Sequence, residues 1–267
     1  MVLGLLLSGA GKAEGAGEDA EATAALARRT EFVVAGAAAL PDWEGADGLR
    51  PVPLVVSRFR ALGLGIEVEG LEARFDFVPP TGLRAGPAIS LALPRNSAFV
   101  DDASVEALPS IGLAVEVGGF VGFDLPVPAL REGRLRGHVS ARHDTTGNHG
   151  GLDVTADAEV FFALHRVFRM GVGVNASFAT DDYMETYFAV TPQDALASGL
   201  PAHRVDGGLK DVGGEVYTIL SFHPHYALFT RVAYNRLLND AAASPIVRRA
   251  GSPDQVFVGA GIFWLFR

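Results

Sequence analysis

The 267-residue chain contains no cysteine, which excludes a disulfide framework, thiol catalysis and cysteine-ligated zinc. It also lacks a basic excess: its formal net charge is -9 at pH 7, whereas a nucleic-acid binder needs a basic face. No apolar run approaches the roughly 18 residues of a transmembrane helix. The mean hydropathy of +0.24 is nevertheless high for a soluble protein. These features leave two classes, an unusually apolar soluble sheet protein and a membrane β-barrel, whose strands hide their hydrophobicity in alternation.

Apolar residues alternate with polar or small residues along most of the chain. Every second residue from Phe168 to Phe178 is apolar, and the residues between them are Arg, Gly, Gly, Asn and Ser. The same period of two recurs in residues 71–77, 152–162 and 256–266. Such alternation indicates strands with one apolar and one polar face. Several of these faces carry aromatic residues near their ends, as the aromatic girdles of membrane barrels do.

The connections between the predicted strands decide between the two classes. The strands are expected near residues 31–39, 51–60, 62–69, 71–78, 82–93, 110–125, 133–144, 151–164, 167–179, 209–222, 225–238 and 255–267. Tight turns such as PPTG, LHR and FHPH alternate with long loops. We therefore predict an all-β fold, a transmembrane antiparallel up-and-down barrel of about 12 strands, with short periplasmic turns and long extracellular loops. Ten strands is the alternative, because the hairpin split near Gly70 is the weakest assignment. Closing the sheet into a barrel would also leave no unpaired edge strands, which otherwise invite aggregation.

The domain organisation is expected to be simple. Residues 31–267 are assigned to the outer-membrane barrel. Residues 1–30 have a short apolar run followed by small residues but no basic segment before it. They are interpreted either as a signal-peptide remnant or as a disordered N-terminal segment.

Five stretches of the chain resemble one known family. They are PDWEGADGLRPVPL from Pro41, GNHGGLDVTADAEV from Gly147, DDYMETYFAVTPQDALASGLPAH from Asp181, GLKDVG from Gly208, and NRLLNDAAASPIVRRAGSPDQVFVGAGIFW from Asn235. In this order they resemble the MipA/OmpV family of Gram-negative outer-membrane proteins, the MltA-interacting proteins. The DDYMETYF stretch is the most specific of them.

The resemblance implies an outer-membrane barrel without a cofactor, in contact with outer-membrane lipid and lipopolysaccharide. It also implies a scaffold that joins a periplasmic lytic murein transglycosylase to a penicillin-binding protein. Other members of the family are linked to adhesion or to the osmotic response, so this alternative stays open.

Charged residues of opposite sign occupy the inward faces of two neighbouring strands. One strand carries bases and the next carries acids; the set is Arg134, Arg136, His138, Arg142, Asp153, Asp157 and Glu159. Opposite charges across a ladder attract, so these residues are expected to pair and plug the lumen. The alternative is the selectivity lining of a small channel for small solutes. A twelve-strand barrel lies between filled small barrels and open porins.

An enzyme is the third and weakest hypothesis. His138 and Ser140 share a predicted face, with Glu159 on the neighbouring strand, as a lipid hydrolase would need. An inward site would be cut off from lipid, so no catalytic residue is predicted. His138 and His143 point to opposite sides of a strand, and the histidines are interpreted as turn and lumen residues rather than metal ligands.

The long loop that begins at Asp181 contains a helix signal. Thr191, Pro192 and Asp194 have the spacing of an N-cap, an N1 proline and a capping-box partner, and Gly199 is a stop signal. The preceding DDYMETYF is expected to continue or end the strand at the membrane rim, with its tyrosines at the outer interface. The loop is therefore predicted to be an extracellular contact surface formed by Asp181, Asp182, Tyr183, Tyr187, Thr191 and Asp194.

Overall fold

The computed structural model describes residues 31–78 and 82–266. Within them, twelve antiparallel strands close into a barrel in sequence order, β12 returning to β1. The strands are β1 Glu31–Pro41, β2 Leu49–Ala61, β3 Leu64–Glu69, β4 Glu72–Asp76, β5 Leu83–Ala92, β6 Ala114–Pro126, β7 Arg134–Asp144, β8 Leu152–His165, β9 Phe168–Ala179, β10 Gly208–His223, β11 Tyr226–Leu237 and β12 Asp254–Phe266. Residues 1–30, 79–81 and 267 lie outside the described residues, so the expectation for segment 1–30 and most of the predicted PPTG turn fall there.

The predicted barrel and its strand number are confirmed. The β1–β12 ladder that closes the wall runs from the Glu31↔Phe266 pair to the Ala39↔Val258 pair. The split near Gly70 is correct, because β3 and β4 pair up to Glu69↔Glu72 and Gly70 turns between them with φ +60°. The ten-strand alternative is wrong.

The start of β6 differs most from its prediction. β6 was expected from residue 110 but starts at Ala114. The reason is local: Arg95 and Ile111 exchange two backbone hydrogen bonds of 3.1 and 2.8 Å, and this bridge holds the preceding residues in the loop.

The outer face of the barrel is apolar, as the alternation predicts. On β9, Val172 and Val174 are 43% and 62% exposed while their neighbours face the lumen. The lumen itself has two unlike sides. Most of the charged residues come from β3 to β8, whereas β1, β2 and β10–β12 contribute an apolar cluster around Val34, Leu54 and Phe229. The sequence did not reveal this apolar side.

Apart from the turn at Gly70, the tight turns gather at one end of the barrel, called the turn end. The long connections lie at the other end, called the loop end, and the Gly70 turn points toward it. Five short helices lie at the loop end: α1 Ala103–Glu106, α2 Asp181–Phe188, α3 Pro192–Ser198, α4 Asn239–Ala243 and α5 Pro245–Ala250. Two buried apolar clusters join them into a cap, one around Met184 and Phe188 and the other around Trp43 and Ile246. None of the helices in the described ranges is long and apolar enough to cross a membrane.

Helix α3 has the predicted capping. The Thr191 side chain accepts from the backbone N–H of Asp194, and the Asp194 carboxylate accepts from that of Thr191, which is a capping box. Pro192 stands at the first helical position and Gly199 ends the helix with φ +72°.

The expectation for DDYMETYF is wrong, because these residues form α2 rather than an extension of β9. Tyr183, Met184, Tyr187 and Phe188 recur at helical spacing and are all buried. The cap draws them inward, where they pack against Ile111, Leu237 and Val247 instead of lipid.

The outer face generates a test of membrane insertion. Val174 lies near the middle of β9 and points outward, so the Val174→Arg substitution would place a cation near the centre of the hydrocarbon layer. We expect the free energy of unfolding from lipid vesicles to fall by about 2–4 kcal/mol. Chemical denaturation in vesicles measures it, with Val174→Leu as the control that keeps the face apolar. Equal stability of the two variants would contradict a bilayer position for this face.

A buried polar cluster at the loop end of the lumen

Glu44, Tyr183 and Lys210 meet beneath the cap although they are distant in sequence. The Lys210 ammonium lies 2.7 Å from the Glu44 carboxylate, and the Tyr183 hydroxyl donates a 2.5 Å hydrogen bond to the other oxygen of Glu44. Lys210 Nζ also lies 3.3 Å from the Tyr183 hydroxyl and 4.6 Å from the centre of its ring. These contacts attach α2 and the β1–β2 loop to β10.

Further carboxylates surround the Lys210 ammonium. Asp153 of β8 is 3.5 Å away and Asp211 is 3.8 Å away, and the side chains of all three residues are only 8% exposed. A buried ammonium is costly unless it is paired, and here three carboxylates compensate it. Lys210 therefore fixes the position of the elements that carry its partners.

His149 occupies a neighbouring position in the cluster and is fully buried. Its Nδ1 accepts a 3.1 Å hydrogen bond from the backbone N–H of Gly151, so the proton is assigned to Nε2, which lies 3.2 Å from Glu116. Its ring meets that of Tyr183 edge-on at 4.8 Å. The carboxylate of Asp144 accepts from the backbone N–H groups of Thr146, His149 and Gly150 and holds this loop in place.

Tyr183 and Tyr187 are not at an outer interface, so that expectation is wrong. They are 5% and 2% exposed, and burial raises the pKa of both phenols well above its ordinary value. Arg95, which the sequence did not single out, donates 2.6 and 3.3 Å hydrogen bonds to the carbonyls of Tyr187 and Thr186. It satisfies the C-terminal end of α2, and burial lowers the pKa of its guanidinium to about 10.

The four polar residues of the proposed loop surface are separated from the tyrosines. Asp181, Asp182 and Thr191 are exposed, and Asp194 is half-buried by its capping role. The Asp181 carboxylate also accepts a 2.5 Å hydrogen bond from the backbone N–H of Gly207, which ties the two ends of the long loop together.

The predicted lumen charges form pairs along the β7–β8 ladder. Arg136 lies 3.0 Å from Glu159, His138 2.7 Å from Asp157, and Arg142 2.6 Å from Asp153. Arg134 differs, since it lies 2.7 Å from Asp124 of β6 rather than near an acid of β8.

Ion pairs and hydrogen bonds also cross the lumen, through residues that the sequence analysis did not select. From β4, Arg74 contacts His138 Nε2 at 2.6 Å and Glu72 pairs with Arg142. From β3, Glu69 lies 2.7 Å from Arg231 of β11. The sequence contains a signal for these residues. In EVEGLEARFD, residues 67–76, charged side chains recur at every second position on each side of the turn. These contacts join strands that are three and four places apart in the barrel, so their side chains extend into the lumen.

The hydrolase hypothesis has no supporting geometry. His138 is engaged on both ring nitrogens, by Asp157 and Arg74. The Ser140 hydroxyl is fully buried and has no hydrogen-bond partner among the described residues. Within residues 31–78 and 82–266, no three His, Asp or Glu side chains are grouped so as to hold a metal ion.

A cavity of about 280 Å³ lies beside this cluster, under α2. Its lining combines the tip of the β3–β4 hairpin, β5 and the polar residues of the far wall. The lining residues are Glu69, Leu71, Glu72, Ser90, Leu91, Ala92, Glu116, Arg142, Asp153, Tyr183 and Lys210.

A closed twelve-strand barrel with an apolar outer face and a charged lumen belongs to the class of outer-membrane β-barrels, and solved structures of that class are similar to it. The translocator domain of autotransporter NalP from Neisseria meningitidis matches with a TM-score of 0.44 and 12% identity, over 95% of this chain and 97% of that one. An anion-selective porin from Comamonas acidovorans matches with a TM-score of 0.38 and 10% identity, over 88% and 74%.

The outer membrane protein OmpT of Vibrio cholerae matches with a TM-score of 0.38 and 8% identity, over 80% of this chain and 64% of that one. This chain thus spans less than two thirds of that protein's length. No protein with a curated description matches the sequence.

The family follows from the sequence itself. The model of the family described as MltA-interacting protein MipA matches residues 33–266, nearly the whole chain. The chain belongs to the MipA family, and the resemblance found in its motifs is confirmed.

The charge network generates a stability prediction. In the Arg142→Met variant, Glu72 and Asp153 lose their shared partner inside the lumen. Breaking a buried pair costs about 3–5 kcal/mol, so we expect a loss of that order in the free energy of unfolding.

The exposed pair Arg236–Asp254 supplies a matched control, because both side chains are about half exposed. Denaturation of the Arg236→Met variant should show no measurable change. A double-mutant cycle of Arg142→Met with Glu72→Gln should give a coupling energy clearly different from zero. Additive effects would show that the pair does not interact as the geometry indicates.

Proposed function

We propose that this protein is a non-enzymatic outer-membrane scaffold that binds a lytic murein transglycosylase at the turn end of the barrel, facing the periplasm. The observation that carries the proposal is the obstructed lumen: side chains of β3 and β4 contact those of β7 and β11 across it. A barrel filled in this way offers its ends and its outer wall to partners. The family's description as MltA-interacting protein indicates the class of partner.

The same features support the proposed position in the outer membrane. The apolar outer face suits the hydrocarbon layer, and the long loops of outer-membrane barrels face outward while their short turns face the periplasm. The protein thus contacts outer-membrane lipid and lipopolysaccharide. A penicillin-binding protein, which the family resemblance implies as a second partner, would share the periplasmic side.

The connection between β6 and β7 is the best-defined surface at the turn end. It is held down by two contacts: Glu132 lies 2.7 Å from Arg169 of β9, and the Arg131 carbonyl accepts a 2.8 Å hydrogen bond from Ala163. Leu130 remains 36% exposed at its tip. A rigid turn with an exposed apolar side chain suits a protein partner, because little flexibility is lost on binding.

Binding to a purified MltA-type lytic transglycosylase tests the proposal. We expect the detergent-solubilised barrel to be retained on the immobilised enzyme, and the Leu130→Asp variant to be retained less. The Leu196→Asp variant is the matched control, because Leu196 is 90% exposed on α3 at the opposite end. No retention of the unaltered protein would contradict the scaffold function, and equal loss in both variants would contradict the assigned surface.

The charged lumen keeps a small channel as the second candidate. Planar-bilayer recordings separate the two functions, because a lumen crossed by ion pairs should pass no measurable current. A conductance that changes when Arg136 or Asp157 is neutralised would favour the channel instead. Adhesion and the osmotic response would require other binding partners at the loop end.

A further inference from the structure

The barrel wall is shorter along the barrel axis at β3 and β4 than at the strands beside them. β3 has 6 residues and β4 has 5, whereas the neighbouring β2 has 13 and β5 has 10. The last β2–β3 pair is Val56↔Glu69, and the Gly70 N–H reaches the Val55 carbonyl above it. Residues 49–54 of β2 therefore have a strand partner on the β1 side alone. At roughly 3.3 Å per residue this leaves about 20 Å of unpaired edge.

Two prolines stand on this unpaired edge. Because the Val55 carbonyl points toward β3, the odd-numbered residues of β2 direct their backbone groups to that side, so the nitrogens of Pro51 and Pro53 face the gap. Proline has no N–H, so two donors that would lack a partner in lipid do not exist. The same prolines prevent a further strand from adding to this edge.

The gap is bounded by residues on every side. Its floor is the hairpin tip at Gly70 and Leu71, and β5 ends beside it at Ala92. Above it, the Arg50 guanidinium lies 4.1 Å from the centre of the Phe99 ring, so the β5–β6 loop crosses over to β2. The result is a window in the half of the wall nearer the loop end.

The cavity beneath the cap reaches this window. Leu71 and Leu91, which line it, are 42% and 36% exposed on the outer face, while Lys210 lines it from the opposite wall. The cavity therefore runs from the outer face of the barrel to the buried polar cluster. Its volume of about 280 Å³ is at the lower limit for ligand pockets and suits a headgroup rather than a whole lipid.

The inner end of the cavity carries charge of both signs. Four lining residues are acids, Glu69, Glu72, Glu116 and Asp153, and two are bases, Arg142 and Lys210. Arg142 and Asp153 are each 6% exposed; Arg142 Nε is buried without a hydrogen-bond partner among the described residues, and Asp153 Oδ1 has the Lys210 ammonium 3.5 Å away but no hydrogen bond. Unsatisfied buried groups are costly, and a bound polar group would remove that cost.

We propose that this window and cavity form a lateral binding site for a phospholipid with an amine-bearing headgroup, namely one that has moved from the periplasmic leaflet into the lipopolysaccharide leaflet at the loop end. The acyl chains lie against Leu71 and Leu91, and the headgroup enters the cavity. The phosphate meets Arg142, and the ammonium meets the excess carboxylates. The site is independent of the periplasmic surface proposed for the transglycosylase.

The absence of native cysteine makes access to the cavity measurable. Ser90 and Ala88 both point inward on β5, but Ser90 lines the cavity while Ala88 pairs with Arg74 behind the intact wall. In vesicles, thiol labelling follows exposure, so N-ethylmaleimide should modify the Ser90→Cys variant about tenfold faster than the Ala88→Cys variant. Equal rates in two folded variants would overturn the window.

The headgroup assignment has a separate readout. Labelling of the Ser90→Cys variant should be slower in vesicles of phosphatidylethanolamine than in vesicles of phosphatidylglycerol with the same acyl chains. Native mass spectrometry of the unaltered protein should likewise retain phosphatidylethanolamine in preference to phosphatidylglycerol. Equal protection and equal retention by the two lipids would overturn the proposed ligand. The lipid measurements do not involve the transglycosylase. A protein that failed to bind the transglycosylase should therefore still prefer phosphatidylethanolamine.

Discussion

Charge inside the barrel must be compensated by charge, and the rest of the structure depends on this constraint. The inward faces of β3 to β8 carry many ionisable side chains that are removed from bulk water, so each needs a partner within reach. Pairs along neighbouring strands, such as Arg136–Glu159, satisfy some of them. Others are satisfied only across the lumen, as between Glu69 and Arg231. These contacts join strands that are not neighbours in the barrel and place charged side chains within the lumen.

The same constraint organises the loop end. Lys210 needs Glu44 as well as the carboxylates of the wall, and Tyr183 binds both, so α2 is held over the lumen instead of extending into solvent. Residues from PDWEGADG, GNHGG, DDYMETYF and GLKDVG thus meet in one buried cluster. The stretches that carry the family resemblance are the ones that attach the cap to the barrel. The surfaces proposed for binding are the turn end of the barrel and the window beside the short hairpin.

The sequence predicted the barrel well because alternation is a local signal, and most of the hairpin turns contain Gly or Pro. It predicted α3 for the same reason, since Thr191, Asp194 and Gly199 act within one short helix. The burial of Tyr183 and Tyr187 on a helix was not predicted. Their spacing of four residues, which Met184 and Phe188 share, is nevertheless typical of a helix. Contacts across the lumen were missed because they depend on barrel diameter and strand stagger. The gap above Gly70 follows from comparing the lengths of four neighbouring strands, which no single segment reveals.

Hydrogen exchange of residues 181–188 tests most directly whether α2 is a buried part of the barrel. If Tyr183 and Lys210 hold it over the lumen, its amides should exchange as slowly as those of β9 and β10. Exchange as fast as that of the exposed segment around Leu196 would contradict the account, because α2 would then be a mobile external loop.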